Sequence, residues 1–202
     1  MDQESLRKRI IEICYNHKLS HIGSCLTALP ILCEIYAIKK PEEKCILDAG
    51  HSHVAHLVVK EALGLLDAEE KLSEFGIHCD RRAGCDVSTG SLGQGLPIAT
   101  GMALSNRDMD MYCLVSDGGT AEGSFLEALR IAKEQNLTNL KVYLNANGWG
   151  AYRAVDTDLL EAQIKAFGFP VEIRRTDPSL GNWAVGLAQH YKPADEELRN
   201  FI

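Results

Sequence analysis

The segment from Met111 to Gly148 constrains this chain most. Met111 to Val115 is an unbroken apolar run, the pattern of a strand buried on both faces. It stops at Ser116-Asp117-Gly118-Gly119. From Glu122 to Glu134 the residues Phe125, Leu126, Leu129 and Ala132 recur at helical spacing. A second apolar run, Leu140 to Leu144, ends at Asn145-Ala146-Asn147-Gly148. This order predicts a βαβ unit with oxygen-bearing side chains at the carboxyl ends of both strands, where open α/β sheets bind ligands. Asp117 and Asn147 lie 30 positions apart, and neighbouring parallel strands would bring them together. A carboxylate and an amide oxygen suit a hard cation such as Mg²⁺, which keeps phosphate oxygens among its ligands. Gly118 and Gly119 admit a phosphate close to the backbone, and the following helix aims its positive end at the same place. These residues predict a Mg²⁺-diphosphate site. An ordinary βαβ turn with a capping aspartate is the alternative that the spacing leaves open.

The rest of the chain sets limits on that reading. With 202 residues, 46% of them hydrophobic and 24% charged, a single globular domain over residues 1–202 is expected. Its predicted class is α/β, with a doubly wound, mostly parallel central sheet flanked by helices. A net charge of -7 offers no basic surface for nucleic acid. No signal peptide and no apolar run of transmembrane length is visible. The seven cysteines are odd in number, contain no Cys-x-x-Cys and lie partly within apolar runs. They are expected to be buried thiols in a reducing compartment, hence in the cytoplasm.

Before the central unit, an amphipathic helix is predicted from Asp2 to His17 and an apolar one from Leu26 to Ile38, with Pro30 in its first turns. His21 sits in the loop between them. A short strand, Cys45 to Ala49, leads through Gly50-His51 into a helix from Ser52 to Leu65. His53 and His56 share that helix and are expected to be packing or surface histidines, because no acidic or cysteine ligand accompanies them in sequence. Cys79 and Cys85 flank a short loop and match no standard metal-ligand spacing. A glycine-rich path, Val87 to Gly95, then enters a helix from Leu96 to Ser105. After the central unit, Asp156 or Thr157 is expected to cap a helix ending at Gly168. A strand follows from Pro170 to Arg174, with Arg174-Arg175 as a solvated strand end. Ser179–Tyr191 and Asp195–Ile202 are read as closing helices without chemistry.

Several motifs resemble one family. Asp117-Gly118 with Asn147 resembles the thiamine-diphosphate motif, in which a Gly-Asp-Gly is followed after a comparable stretch by Asn; Ser116 stands here where the motif has its first Gly. Asp117-Gly118 with Glu122-Gly123, Glu127-Ala128 and Asn139-Leu140, together with Thr89-Gly90-Ser91-Leu92-Gly93-Gln94-Gly95, look like the N-terminal, diphosphate-binding domain of transketolase. Ser20-His21-Ile22-Gly23 is similar to that family's opening Gly-His-x-Gly segment, with Ser in place of the first Gly.

The resemblance implies a site. Asp117 and Asn147 would bind Mg²⁺ (or Ca²⁺) through their side chains and Trp149 through its carbonyl. His51 would contact the diphosphate of thiamine diphosphate, which also approaches Gly118. Gly90 and Leu92 would border its rings. His21 and His78 would face the substrate, and Glu122 would join a carboxylate relay near a subunit interface. The resemblance covers residues 5 to 175 and includes no pyrimidine-binding domain. A further histidine is expected from a later segment outside this chain. The implied function is transfer of a two-carbon ketol unit between sugar phosphates by a homodimer, or by a hetero-oligomer with a separate pyrimidine-domain chain. A catalytically inactive, cofactor-binding remnant is one alternative, and a deoxyxylulose-phosphate-synthase-like enzyme is another.

Overall fold

A computed structural model describes residues 1–202. Four strands form one parallel sheet in the order β1 (Lys44–Leu47), β2 (Met111–Ser116), β3 (Leu140–Ala146) and β4 (Val171–Arg175). Every residue of β2 is buried, as its unbroken apolar run requires of a strand covered on both faces. β4 is the half-exposed edge, and its two arginines are ion-paired rather than freely solvated. Arg174 meets Glu34 and Glu172, and Arg175 meets Asp158 and Glu161.

Side chains alternate along each strand and so feed two cores. Cys45, Leu47, Tyr112, Leu114 and Tyr143 pack with α1 (Gln3–Asn16), α2 (Ile22–Ile38), α3 (His53–Ala62) and α4 (Ala68–Phe75). Ile46, Cys113, Val115, Val142 and Leu144 face the other way. They pack with α5 (Gly95–Ser105), α7 (Gly123–Glu134) and α8 (Thr157–Phe167), while α6 (Asp117–Thr120) is a single turn at the end of β2. The result is the expected three-layer, doubly wound α/β sandwich. No helix is long and apolar enough to cross a membrane.

The second helix differs from expectation. It starts at Ile22 rather than Leu26, so Pro30 lies in mid-helix. The helix is buried on almost every side, and that burial offsets the backbone hydrogen bond that proline removes. The last stretch also differs. It holds only short turns, at Gly181–Trp183, α9 (Ala188–Tyr191) and Glu196–Phe201. Polar caps set other boundaries as predicted. Asp156 accepts the amides of Asp158 and Leu159 to start α8, and Gly168, at φ +79°, ends it. Asn139 Nδ2 donates to the carbonyls of Ala103, Asn106 and Met109, at 2.9 to 3.0 Å, and ties the end of α5 to the turn before β2.

Register places the site. Leu47 pairs with Leu114, and Ser116 with Asn145. The carboxyl ends of β1, β2 and β3 therefore reach one edge together, carrying Asp48, Asp117 and Asn147.

Candidate functional site

Asp117 follows β2 directly and is 1% exposed. Its Oδ2 accepts the amide of Gly148 at 2.8 Å, whereas its Oδ1 is buried with no hydrogen-bond partner. Burial pushes its pKa up to about 6, against the opposing pull of the amides of Gly148, Asn147 and Trp149. A buried carboxylate with one orphaned oxygen is the donor that a bound cation would satisfy. Asn147 stands beside it on the end of β3, with Oδ1 accepting the Trp149 amide at 3.0 Å. That bond turns Asn147–Trp149 into a tight turn, and a pair of hydrogen bonds, Gly150 to Arg153 and Val155 to Gly148, closes the loop behind it.

Ser116 fits this turn without strain. Its backbone is extended (φ -108°), a conformation open to any residue, and its hydroxyl caps α6 by accepting the Gly119 amide at 3.4 Å. Of the two glycines that follow, Gly119 is the more tightly enclosed. A Cβ on Gly118 would stand 2.9 Å from Leu92 Cδ1, and one on Gly119 would collide with Asp48 Oδ2 and with Val115 Cγ1.

Next to Asp117 opens a cleft of about 290 Å³ that gathers His21, His51, His78, Gly90, Leu92, Gly118 and Trp149. His21 precedes α2 in the left-handed region (φ 62°) and donates its amide to the His190 carbonyl. A non-glycine residue held there is a local strain that the surrounding structure fixes. Its ring lies 5.1 Å from that of His51, and its Nδ1 is buried without a partner. Burial, followed by neighbouring imidazoles, lowers His21 to about 4 and His51 to about 3. Both are neutral rings near pH 7, each able to donate from one nitrogen and accept at the other. Gly90 runs against the His78 ring, 3.3 Å from where its Cβ would lie. Glu122 is exposed at the start of α7 and lines an adjoining depression with Asp117 rather than the histidine cleft.

Sequence reasoning missed two residues here. His190, in a stretch read as having no chemistry, is a fourth imidazole of the cleft. Its Nδ1 pairs with Ser24 Oγ at 2.6 Å and its Nε2 lies 3.4 Å from the Trp149 carbonyl. The cleft thus has a histidine from a stretch beyond the residues that carry the resemblance. Its signal is a contact between positions 166 apart, which no local pattern carries. Asp48 is the second. It is fully buried, and its carboxylate accepts the amides of Gly93 (3.1 Å), Gly95 (2.7 Å) and Leu96 (3.3 Å), fixing the glycine-rich path at the start of α5.

His53 and His56 are buried, as packing histidines are, but the premise that no cysteine accompanies them is overturned. Cys79 and Cys85, 23 or more positions away, do accompany them. One ligand atom from each of the four lies within 4.8 Å of the others. Sequence spacing hid this because the two pairs come from different elements.

Comparisons with known proteins bear on the fold and the family. The family model described as 1-deoxy-D-xylulose-5-phosphate synthase matches residues 3–164. One subunit of the apulose-4-phosphate transketolase of Phocaeicola vulgatus is 33% identical over 73% of this chain and 60% of its own length. Human transketolase is 31% identical over 74% of this chain and 28% of its own length. A solved transketolase from Leishmania mexicana superposes with a TM-score of 0.72 at 20% identity, over 87% of this chain and 36% of that one. The chain therefore spans about 60% of the bacterial relative and less than a third of the human one.

Proposed function

The chain belongs to the family of transketolases and 1-deoxy-D-xylulose-5-phosphate synthases, at their N-terminal, thiamine-diphosphate-binding domain, and from that membership we propose that it is one subunit of a split transketolase. The proposed activity is transfer of a two-carbon ketol unit from a ketose phosphate to an aldose phosphate. The observation that carries this reading is the partnerless Oδ1 of Asp117, buried beside a cleft lined by four histidines. In this reading Asp117, Asn147 and the Trp149 carbonyl hold Mg²⁺ (or Ca²⁺), and the diphosphate of thiamine diphosphate lies against Gly118. Thiamine diphosphate supplies an electron sink for the carbanion that ketol transfer requires.

The chain's own groups bind and move protons. His51 donates an imidazole N–H to the diphosphate. Gly90 and Leu92 form the wall against the rings. His21 and His78 face the sugar phosphate, and the neutral His21 ring can exchange a proton with a substrate hydroxyl. His190, held by Ser24, orients the Trp149 carbonyl and closes the far side. Glu122, exposed beside the cleft, is placed to meet a second chain. Such a chain, carrying a pyrimidine-binding domain, would complete the site; that a 33% identical relative is itself called a subunit supports this. The seven buried, unpaired cysteines support a cytoplasmic setting.

The test is to mix the purified chain with the product of a neighbouring gene encoding a pyrimidine-binding domain, thiamine diphosphate and Mg²⁺. Ketol transfer that Asp117→Ala abolishes would support the proposal. Formation of 1-deoxy-D-xylulose 5-phosphate instead would favour the second reading, a synthase, which the description of the matching family model suggests. Cofactor binding without either turnover would identify a binding-only remnant. Binding that survives Asp117→Ala unchanged would overturn the site itself.

A further inference from the structure

We propose that His53, His56, Cys79 and Cys85 form a structural zinc site that joins α3 to the loop carrying His78. The four side chains are buried, and one ligand atom from each lies within 4.8 Å of the others. A tetrahedral zinc with ordinary Zn–S and Zn–N bonds places adjacent sulfur and nitrogen ligands about 3.6 Å apart. Cys85 Sγ stands 3.6 Å from His53 Nδ1 and 3.8 Å from His56 Nδ1. The two sulfur–nitrogen pairs at Cys85 are thus already near the spacing that a zinc ion imposes, and the remaining ligand atoms lie within 4.8 Å.

The surroundings fit the same occupant. His56 Nε2 lies 2.6 Å from the Tyr36 hydroxyl. If Nε2 donates its proton there, Nδ1 is left as a free lone pair aimed at Cys85, the orienting arrangement usual for a metal-bound histidine. His53 is fully buried; its Nε2 has no partner, and its Nδ1 faces only the Cys85 thiol. A buried ring with so little to bond needs a reason, and a metal on the facing nitrogen supplies one. Two thiolates balance the charge of a dication, so the loaded site adds no net charge to the core. Four protein ligands leave no open position, which marks a structural rather than a catalytic site. Nitrogen and sulfur donors also separate it from the oxygen donors around Asp117, so zinc and Mg²⁺ would not compete.

Chain connectivity gives the site its consequence. His53 lies two residues after His51, and Cys79 directly follows His78. From residue 76 to 90 the buried apolar side chains are only Cys79, Ala83 and Cys85. So thin a core is where a metal contributes most to order. The ion would set the distance between the segments that bring His51 and His78 into the cleft.

The experiment uses the full-length, tag-free chain purified under reducing conditions, and it does not depend on the cofactor reading. Elemental analysis is expected to find one zinc per chain, retained through dialysis against Mg²⁺. Cys85→Ser should lower this to below about a tenth, with Cys33→Ser, a thiol outside the cluster, unchanged. Because Cys85→Ser could unfold the chain, one equivalent of Co²⁺ is also added to the zinc-stripped, unsubstituted protein. Thiolate charge-transfer bands and intense tetrahedral visible bands are expected. No retained zinc together with no cobalt spectrum, or a Cys79–Cys85 disulfide in the reduced preparation, would overturn the proposal.

Discussion

Asp117 Oδ2 accepts the amide of Gly148 at 2.8 Å while Oδ1 of the same carboxylate, equally enclosed, has no partner. One oxygen therefore holds the β3 turn against β2, and the other is available to a cation. Asp117→Asn keeps the volume and removes the charge. It should weaken Mg²⁺-dependent binding of thiamine diphosphate by at least about tenfold, the loss typical of disturbing even a group behind a metal ligand. Calorimetric titration with and without Mg²⁺ checks this. Equal affinity in both proteins would remove Asp117 from the metal site.

Asp48 is the keystone of the glycine-rich path. Replacing it with Ala strands the buried amides of Gly93, Gly95 and Leu96, each a group that is costly to leave unpaired. Asp48→Ala should cost about 2–4 kcal/mol, and Asp48→Asn, which keeps one acceptor oxygen, about half of that. The urea midpoint at unchanged slope measures both. A loss under about 1 kcal/mol for Asp48→Ala would mean that the path holds its shape without this carboxylate.

The sheet, its two faces and the Asp117–Asn147 edge were legible because they rest on local patterns. Unbroken apolar runs gave β2 and β3, helical spacing gave α7, and a separation of 30 positions between Asp117 and Asn147 suits a crossover between neighbouring parallel strands. The sequence motif also pointed to His21, His51, His78, Gly90 and Leu92, which the fold gathers in one cleft. What was not legible depends on long-range contact. Ser24 meets His190 across 166 positions, and Asp48 meets Gly95 across 47. Cys85 meets His53 across 32. Spacing rules assume that ligands come from one hairpin or helix, so a site assembled from α3 and a distant loop passes unseen. The start of α2 was missed for a different reason. Pro30 argues locally for an early position in a helix, and burial on nearly all sides overrides that argument.

Gly119 and Gly123 are four residues apart and should respond oppositely to alanine. A Cβ on Gly119 would collide with Asp48 Oδ2 and lie 2.9 Å from Val115 Cγ1, whereas nothing lies within 4 Å of one on Gly123. Gly119→Ala should destabilise by about 1–3 kcal/mol through overpacking. Gly123→Ala, at the first position of α7, should be neutral or stabilising by up to about 1 kcal/mol. Chemical denaturation of both variants tests the contrast. A well-tolerated Gly119→Ala would show that the turn after β2 can shift.

His21 should make the fold sensitive to mild acid. The unfolded chain protonates this ring near 6.5, whereas burial lowers the folded value to about 4. Between those values the unfolded state binds more protons, so the stabilisation is complete above 6.5 and is lost as pH falls toward 4. The groups that face the ring do not reverse the sign. His51 comes from the turn before α3, His78 from the loop beyond α4, and His190 and Tyr191 from α9, and none is acidic. His21→Asn suits the left-handed backbone, which asparagine tolerates. The parent protein should lose thermal stability between pH 7 and pH 5, and the variant should lose measurably less over the same range. His51 and His190, also lowered by burial, would account for the drop that remains. Identical pH profiles would show that the His21 ring is already solvated enough to accept its proton in the folded chain.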